Sequence, residues 1–243
     1  CEHSFPTRRS SDLVILAVGI IAFAILDPFM LKILPKILQK QLQGDLTSLF
    51  ITTPKSAVIK YINDLFQIGN FFIIFTLSTT LNDEINGENF VFPYSKGSNP
   101  AGIVMAKVIH YIIVVTILIF LGFLTCSYYG SILLKGESVS LSGIMKSAFL
   151  MSIYSFFNIS LVTFFSSFVK KGITAGFITI MITFLSATLV NLDIVGKFIP
   201  YRLVQGANLF TVEGYLYTIV FSIGCSILFI LLTIFKMNRV EVI

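Results

Sequence analysis

Six long apolar runs dominate this sequence of 243 residues and leave few folds open to it. They cover residues 14–31, 65–81, 108–129, 148–169, 173–190 and 215–235. Several approach the ~20 residues that a helix needs to cross a bilayer. The runs are continuously apolar, which indicates helices, and only helices or closed barrels satisfy backbone hydrogen bonds in lipid. We therefore predict an all-α, polytopic membrane protein with about six transmembrane helices.

The composition points to the same class and argues against others. Hydrophobic residues make up 56% of the chain and charged residues only 12%, whereas soluble domains carry about 25% charged residues. Lysine and arginine form no cluster interleaved with aromatic residues, so we expect no nucleic-acid partner. The three cysteines are scattered without a paired motif, which predicts neither a disulfide framework nor a metal site.

The start of the chain has an unusual origin. Residues 3–13 read HSFPTRRSSDL, the direct translation of a widely used sequencing adapter, and we expect residues 1–13 to be non-native. The apolar run then covers only residues 14–26 before Asp27 and Pro28. At 1.5 Å per residue this is about 20 Å, short of the ~30 Å hydrocarbon core. We therefore expect a first helix truncated at its start, and a single transmembrane domain over residues 14–243.

A basic amphipathic segment follows the first run. Lys32, Lys36 and Lys40 recur every four residues on one helical face. Another face is apolar and carries Met30, Ile33, Leu34, Ile37 and Leu38. Such a helix lies in the membrane interface, or it is a water-exposed helix with solvated lysines; both alternatives stay open. We place this extracytoplasmic segment near residues 30–60, and Thr53-Pro54 inside it predicts the start of the next long helix.

Four amide side chains are candidates for lining a substrate pathway. Asn63, Gln67 and Asn70 are spaced i, i+4, i+7 at the second run, and Asn158 lies in the serine-rich fourth run. Polar residues on one face of a membrane helix usually point into the bundle. The alternatives are that this portion lies outside the bilayer, or that the amides bind neighbouring helices.

The link after the second run carries a motif with several parts. It reads LNDEINGENF and then VFPYSK, and a lysine opens the third run. This resembles ABC-2-type transporter permeases, in which an acidic stretch with a glycine precedes a short apolar run, Pro-[VIY]-Ser-[RK] and a lysine. The matching positions are Glu84, Gly87, Pro93, Ser95, Lys96 and Lys107. Glu88 and Asn86 depart from the family, which usually has Thr and Arg there.

Three shorter stretches extend the resemblance over roughly residues 14–239. Residues 27–35 are similar to the family's exit from the first span. The SSFVKKG stretch at residues 166–172 is similar to its link between the fourth and fifth spans, and KFIP at residues 197–200 to its outer loop.

The resemblance implies the permease subunit of an ATP-binding-cassette exporter in the cytoplasmic, or inner, membrane. Two such subunits, identical or homologous, would form the pathway, and a separate ATPase subunit would bind ATP. The implied contact with the ATPase comprises Asp83, Glu84, Gly87, Glu88, Phe92, Pro93 and Lys96. Glycine permits a tight turn, proline ends a short helix and phenylalanine offers an apolar contact. The alternative is an ordinary solvated loop. The resemblance leaves the exported substrate open.

The chain carries no nucleotide-binding or catalytic motif of its own. The nearest candidate for a P-loop, Gly196-Lys197, has Asn191 in place of the first glycine and Phe198 in place of Ser or Thr. There is no HExxH or GxSxG, and the apolar runs contain no pair of acidic residues. We therefore expect a transporter subunit without cofactor or enzymatic activity. A secondary transporter and a non-transporting membrane assembly protein are the alternatives.

The orientation follows from the resemblance rather than from charge. With six spans, both termini and Lys170-Lys171 fall on one side, which the resemblance makes cytoplasmic. Lysine and arginine are more numerous on the other side, so the positive-inside rule alone does not orient the chain.

Overall fold

The computed structural model describes residues 7–42, 52–86, 100–192 and 195–238. Eight α-helices and no strand occur within these ranges. They are α1 (Thr7–Leu42), α2 (Pro54–Asp64), α3 (Asn70–Asn86), α4 (Pro100–Leu133), α5 (Leu141–Phe168), α6 (Gly172–Leu189), α7 (Arg202–Asn208) and α8 (Leu216–Met237).

Six segments are long and apolar enough to cross a membrane, as the sequence predicts. They are Leu13–Pro35, Pro54–Asn82, Ala101–Leu133, Leu141–Phe168, Gly172–Leu189 and Leu216–Met237. Each contains or overlaps one of the predicted runs. The prediction of an all-α, polytopic membrane protein is confirmed.

Helix α1 differs from its prediction because it does not stop at Asp27-Pro28. It continues through Pro28 and Pro35 to Leu42, so the first span reaches 23 residues, or about 35 Å. Proline removes one backbone donor, and a membrane helix tolerates this loss where neighbouring helices support it. Residues 30–42 of the basic amphipathic segment therefore belong to α1 and do not form a separate helix.

The second span is one long helix interrupted by a π-helical turn. Thr53 caps α2 as predicted, because its Oγ1 accepts a hydrogen bond from the Ser56 amide at 3.2 Å. The π-helical turn covers Leu65–Gly69 and leads directly into α3. One extra residue in a turn rotates all later side chains by about 100° around the helix axis. This rotation decides which surroundings Asn63, Gln67 and Asn70 face.

Helix α5 occupies the centre of the bundle. It packs against α3, α4, α6, α7 and α8, and most of its residues are buried, whereas half or fewer are buried in the other spans. Its buried serines bond to nearby carbonyls: Ser152 Oγ donates to Ala148 O at 2.8 Å, and Ser160 Oγ to Phe156 O at 2.8 Å. Ser147 Oγ donates across the helix contact to Ala207 O of α7 at 2.6 Å. Because serine side chains are small, five helices can pack closely against α5.

Two sets of contacts fix which helix ends lie together. At one end of the bundle, Lys55 of α2 bonds to Glu137 in the link between α4 and α5 at 2.8 Å. At the other end, Asn82 of α3 bonds to the end of α5. There Gly172 also allows α6 to approach α3, because a Cβ at this position would lie 2.7 Å from Ser78 O. The two ends correspond to the two sides predicted from six spans.

The orientation is testable with single cysteines at positions 170, 36 and 197, in a variant without the native cysteines. We expect an impermeant thiol reagent added outside intact cells to label positions 36 and 197 but not 170. Permeabilised cells provide the control, because all three positions should then react. Labelling of position 170 but not 36 in intact cells would invert the orientation.

Candidate functional site

Two carboxylates and one lysine meet between α1 and α2, and we call Asp27, Lys60 and Asp64 the ion cluster. Lys60 Nζ lies 3.2 Å from Asp27 Oδ1 and 2.5 Å from Asp64 Oδ2. Lys60 and Asp64 are spaced i, i+4, which places both on one face of α2. The Asp27 side chain is 3% exposed, whereas that of Lys60 is 37% exposed. The cluster therefore joins a buried carboxylate of α1 to a partly exposed lysine of α2.

Asp27 and Lys60 of the ion cluster both lie within membrane-spanning segments. Asp27 precedes the end of the first span, Pro35, by about two turns, and Lys60 follows the start of the second span, Pro54, by a similar distance. At 1.5 Å per residue, each residue lies roughly 10 Å along its helix from that end. A lysine or aspartate at the centre of a membrane helix costs about 2.5–3.5 kcal/mol on an insertion scale. Mutual pairing offsets part of this cost.

The surroundings of the ion cluster are largely apolar. The Tyr61 ring packs edge-on against Phe123 of α4, with ring centroids 5.3 Å apart. The Cys126 thiol of α4 donates to Ala57 O at 3.6 Å. Asp27 Oδ2 is buried and has no hydrogen-bond partner among the described residues. Such a group can hold two helices together, and it can also exchange a proton or a cation.

Local sequence patterns do not predict the ion cluster, because the spans extend beyond the apolar runs and include both Asp27 and Asp64. Asp27 was placed at the exit of the first span, but α1 continues beyond it. The second apolar run begins directly after Asp64, but the span itself begins at Pro54. The i, i+4 spacing of Lys60 and Asp64 next to an apolar run is the signal that could have identified them.

The four candidate pathway amides do not line one surface. Asn158 Nδ2 donates to Asn70 Oδ1 at 2.9 Å in a buried contact between α5 and α3. Asn208 Nδ2 of α7 donates to Asn63 Oδ1 at 3.3 Å. Gln67 lies in the π-helical turn and is exposed on the bundle surface. Three of the amides thus bind neighbouring helices, which is one of the alternatives stated from the sequence.

The predicted ATPase contact lies mostly beyond the described ranges. Asp83 and Glu84 belong to the last turn of α3. The remaining members lie outside the described residues: Gly87, Glu88, Phe92, Pro93 and Lys96.

The residue just before this segment is well placed in the structure. Asn82 is buried, and its Nδ2 donates to Ser166 O at 3.2 Å and to Val169 O at 2.5 Å. Carbonyls at a helix end lack partners within the helix, and Asn82 supplies a donor to two of them. The start of the predicted contact segment is thereby joined to the link between α5 and α6.

Comparison with known proteins adds no assignment: no protein-family model matches the chain, and no curated protein is significantly similar to it. The fold and the ion cluster define a polytopic α-helical membrane protein with a buried charge between its first two spans.

Removing Lys60 should destabilise the bundle. Lys60→Met leaves the buried Asp27 carboxylate without its cation, and we expect a loss of about 2–3 kcal/mol. This is less than the 3–5 kcal/mol of a fully buried pair because Lys60 is partly exposed. Asp27→Asn should cost less, because the Lys60–Asp64 pair remains. The double variant with Asp27→Asn and Lys60→Met should be more stable than Lys60→Met alone.

Unfolding of the purified protein in detergent measures these differences. Lys55→Met is the matched control, because it removes an exposed ion pair with Glu137 and should change stability by less than about 1 kcal/mol. Equal effects of Lys60→Met and Lys55→Met would contradict the role given to the ion cluster.

Proposed function

We propose that this chain is the membrane-spanning subunit of an ATP-binding-cassette exporter and that a separate ATPase subunit supplies the energy. The number and order of the spans agree with the motifs at the ends of the second, fourth and fifth runs. The chain has no P-loop sequence, so ATP hydrolysis requires a partner.

The observation that carries the proposal is the contact of Asn82 with the end of α5. The segment that the resemblance assigns to the ATPase begins at the next residue, Asp83. Through Asn82 it is joined to the most buried helix of the bundle. A displacement of the segment by an ATPase would therefore reach the centre of the bundle through a hydrogen-bonded and packed connection.

A pathway between two subunits also fits the packing. The centre of the described chain is occupied by α5, which five other helices surround. A substrate route would then lie between two copies, or between this chain and a homologous one, rather than through the middle of one bundle.

The ion cluster favours a second candidate, a secondary transporter driven by an ion gradient. Ionisable residues at membrane depth mark proton and ion routes in many transporters. Asp27 is the residue of interest, because it is buried and one of its carboxylate oxygens has no partner among the described residues.

Coupling to an ATPase is testable by co-expression with an ATPase encoded beside this chain in its source DNA. We expect Glu84→Ala and Phe92→Ala each to reduce co-purification of the ATPase, because a few contacts dominate most protein interfaces. Glu137→Ala and Phe198→Ala are matched controls at the opposite end of the bundle and should retain the ATPase. Normal co-purification with Glu84→Ala and Phe92→Ala would contradict the assigned contact.

The two candidate functions differ in their energy source. In proteoliposomes containing the chain alone, a secondary transporter should move protons or sodium ions without ATP, and Asp27→Asn should abolish that flux. The exporter subunit should show no such flux, and its ATPase complex should retain hydrolysis after Asp27→Asn. Ion flux from the chain alone that depends on Asp27 would replace the first proposal with the second.

A further inference from the structure

A groove of about 300 Å³ lies where α1, α4 and the start of the second span meet. We call it the boundary groove. Its walls include Leu31 and Pro35 of α1, Thr52, and Leu133 at the end of α4. Pro35 and Leu133 are the last residues of the first and third spans, and Thr52 lies two residues before the second. The groove therefore lies at one end of the bundle, where three membrane-spanning segments begin or end.

Among the described residues, the charged side chains that line the boundary groove are two lysines. Lys32 and Lys135 line it, and both residues are exposed. Within the described ranges, neither lysine forms an ion pair. The neighbouring Lys55 differs, because Glu137 lies 2.8 Å from its ammonium group.

Apart from Thr52, the remaining described wall is apolar. Leu31, Leu133 and Leu134 line the groove, and Leu134 is buried. Two ammonium groups beside an apolar wall match a molecule with a negative headgroup and a hydrocarbon chain. Basic pockets between membrane helices on the cytoplasmic side recognise anionic lipid headgroups on this principle, and the same chemistry applies in either leaflet that contains anionic lipid.

We propose that the boundary groove binds the phosphate headgroup of an anionic phospholipid, with Lys32 and Lys135 as its cationic contacts. The upper part of the acyl chain packs against the leucines. The bound lipid would connect α1, the helix that carries Asp27, to α4. This proposal is independent of how transport is driven, and it holds for either candidate function.

Lipid binding to the purified full-length chain in detergent tests the proposal. Native mass spectrometry can compare short-chain phosphatidylglycerol with short-chain phosphatidylcholine, which differ in headgroup charge. A lysine near anionic lipid contributes about 1 kcal/mol, so two lysines predict about a thirtyfold preference for phosphatidylglycerol. The combined variant Lys32→Gln and Lys135→Gln should lose this preference, whereas Lys32→Arg with Lys135→Arg should keep it.

A matched control and a competitor complete the experiment. Lys146→Gln removes an exposed lysine near the start of α5, at the same membrane boundary but outside the groove, and should leave the preference unchanged. Inorganic phosphate should not displace the lipid. The proposal is overturned if the double glutamine variant keeps the preference, if Lys146→Gln reduces it equally, or if phosphate alone displaces the lipid.

Discussion

The hydrocarbon core of a bilayer contains no water, so each polar group placed there must find a partner within the protein. This constraint accounts for the helices first, because their backbone groups bond within each segment. It also accounts for the side chains. Buried serines of α5 donate to carbonyls, Asn70 bonds to Asn158, and Lys60 holds Asp27 and Asp64. These polar interactions join α1 to the second span and the second span to α5.

The second span connects the two ends of the bundle. Near its start, Lys60 joins it to α1, and at its end Asn82 joins it to α5. Between these contacts the helix is continuous except for the π-helical turn at Leu65–Gly69. Such turns are rare and often mark functional positions. The second span therefore connects the helix end nearest the proposed ATPase contact with the ion cluster.

Hydropathy and capping rules predicted the architecture because they depend on local sequence. The six runs became six spans, and Thr53 capped the helix that follows it. Local patterns could not predict the π-helical turn, which turned Gln67 outward and separated Asn63 from Asn70. Local patterns also indicate that the first span ends near Pro28. In the structure α1 is continuous through Pro28 and packs against α2 and α4. The partners of Asp27 and Asn82 come from distant parts of the chain, and spacing alone does not reveal them.

The central structural claim is that the second span turns its amides toward different helices, with Asn70 facing α5. Cross-linking of paired cysteines in membranes, in a variant without the native cysteines, tests it most directly. Asn70→Cys with Asn158→Cys should form a disulfide on mild oxidation, because the two native side chains are hydrogen-bonded at 2.9 Å. Gln67→Cys with Asn158→Cys should not, because Gln67 lies on the exposed surface. Efficient cross-linking of position 67 with 158, and none of 70 with 158, would contradict the account.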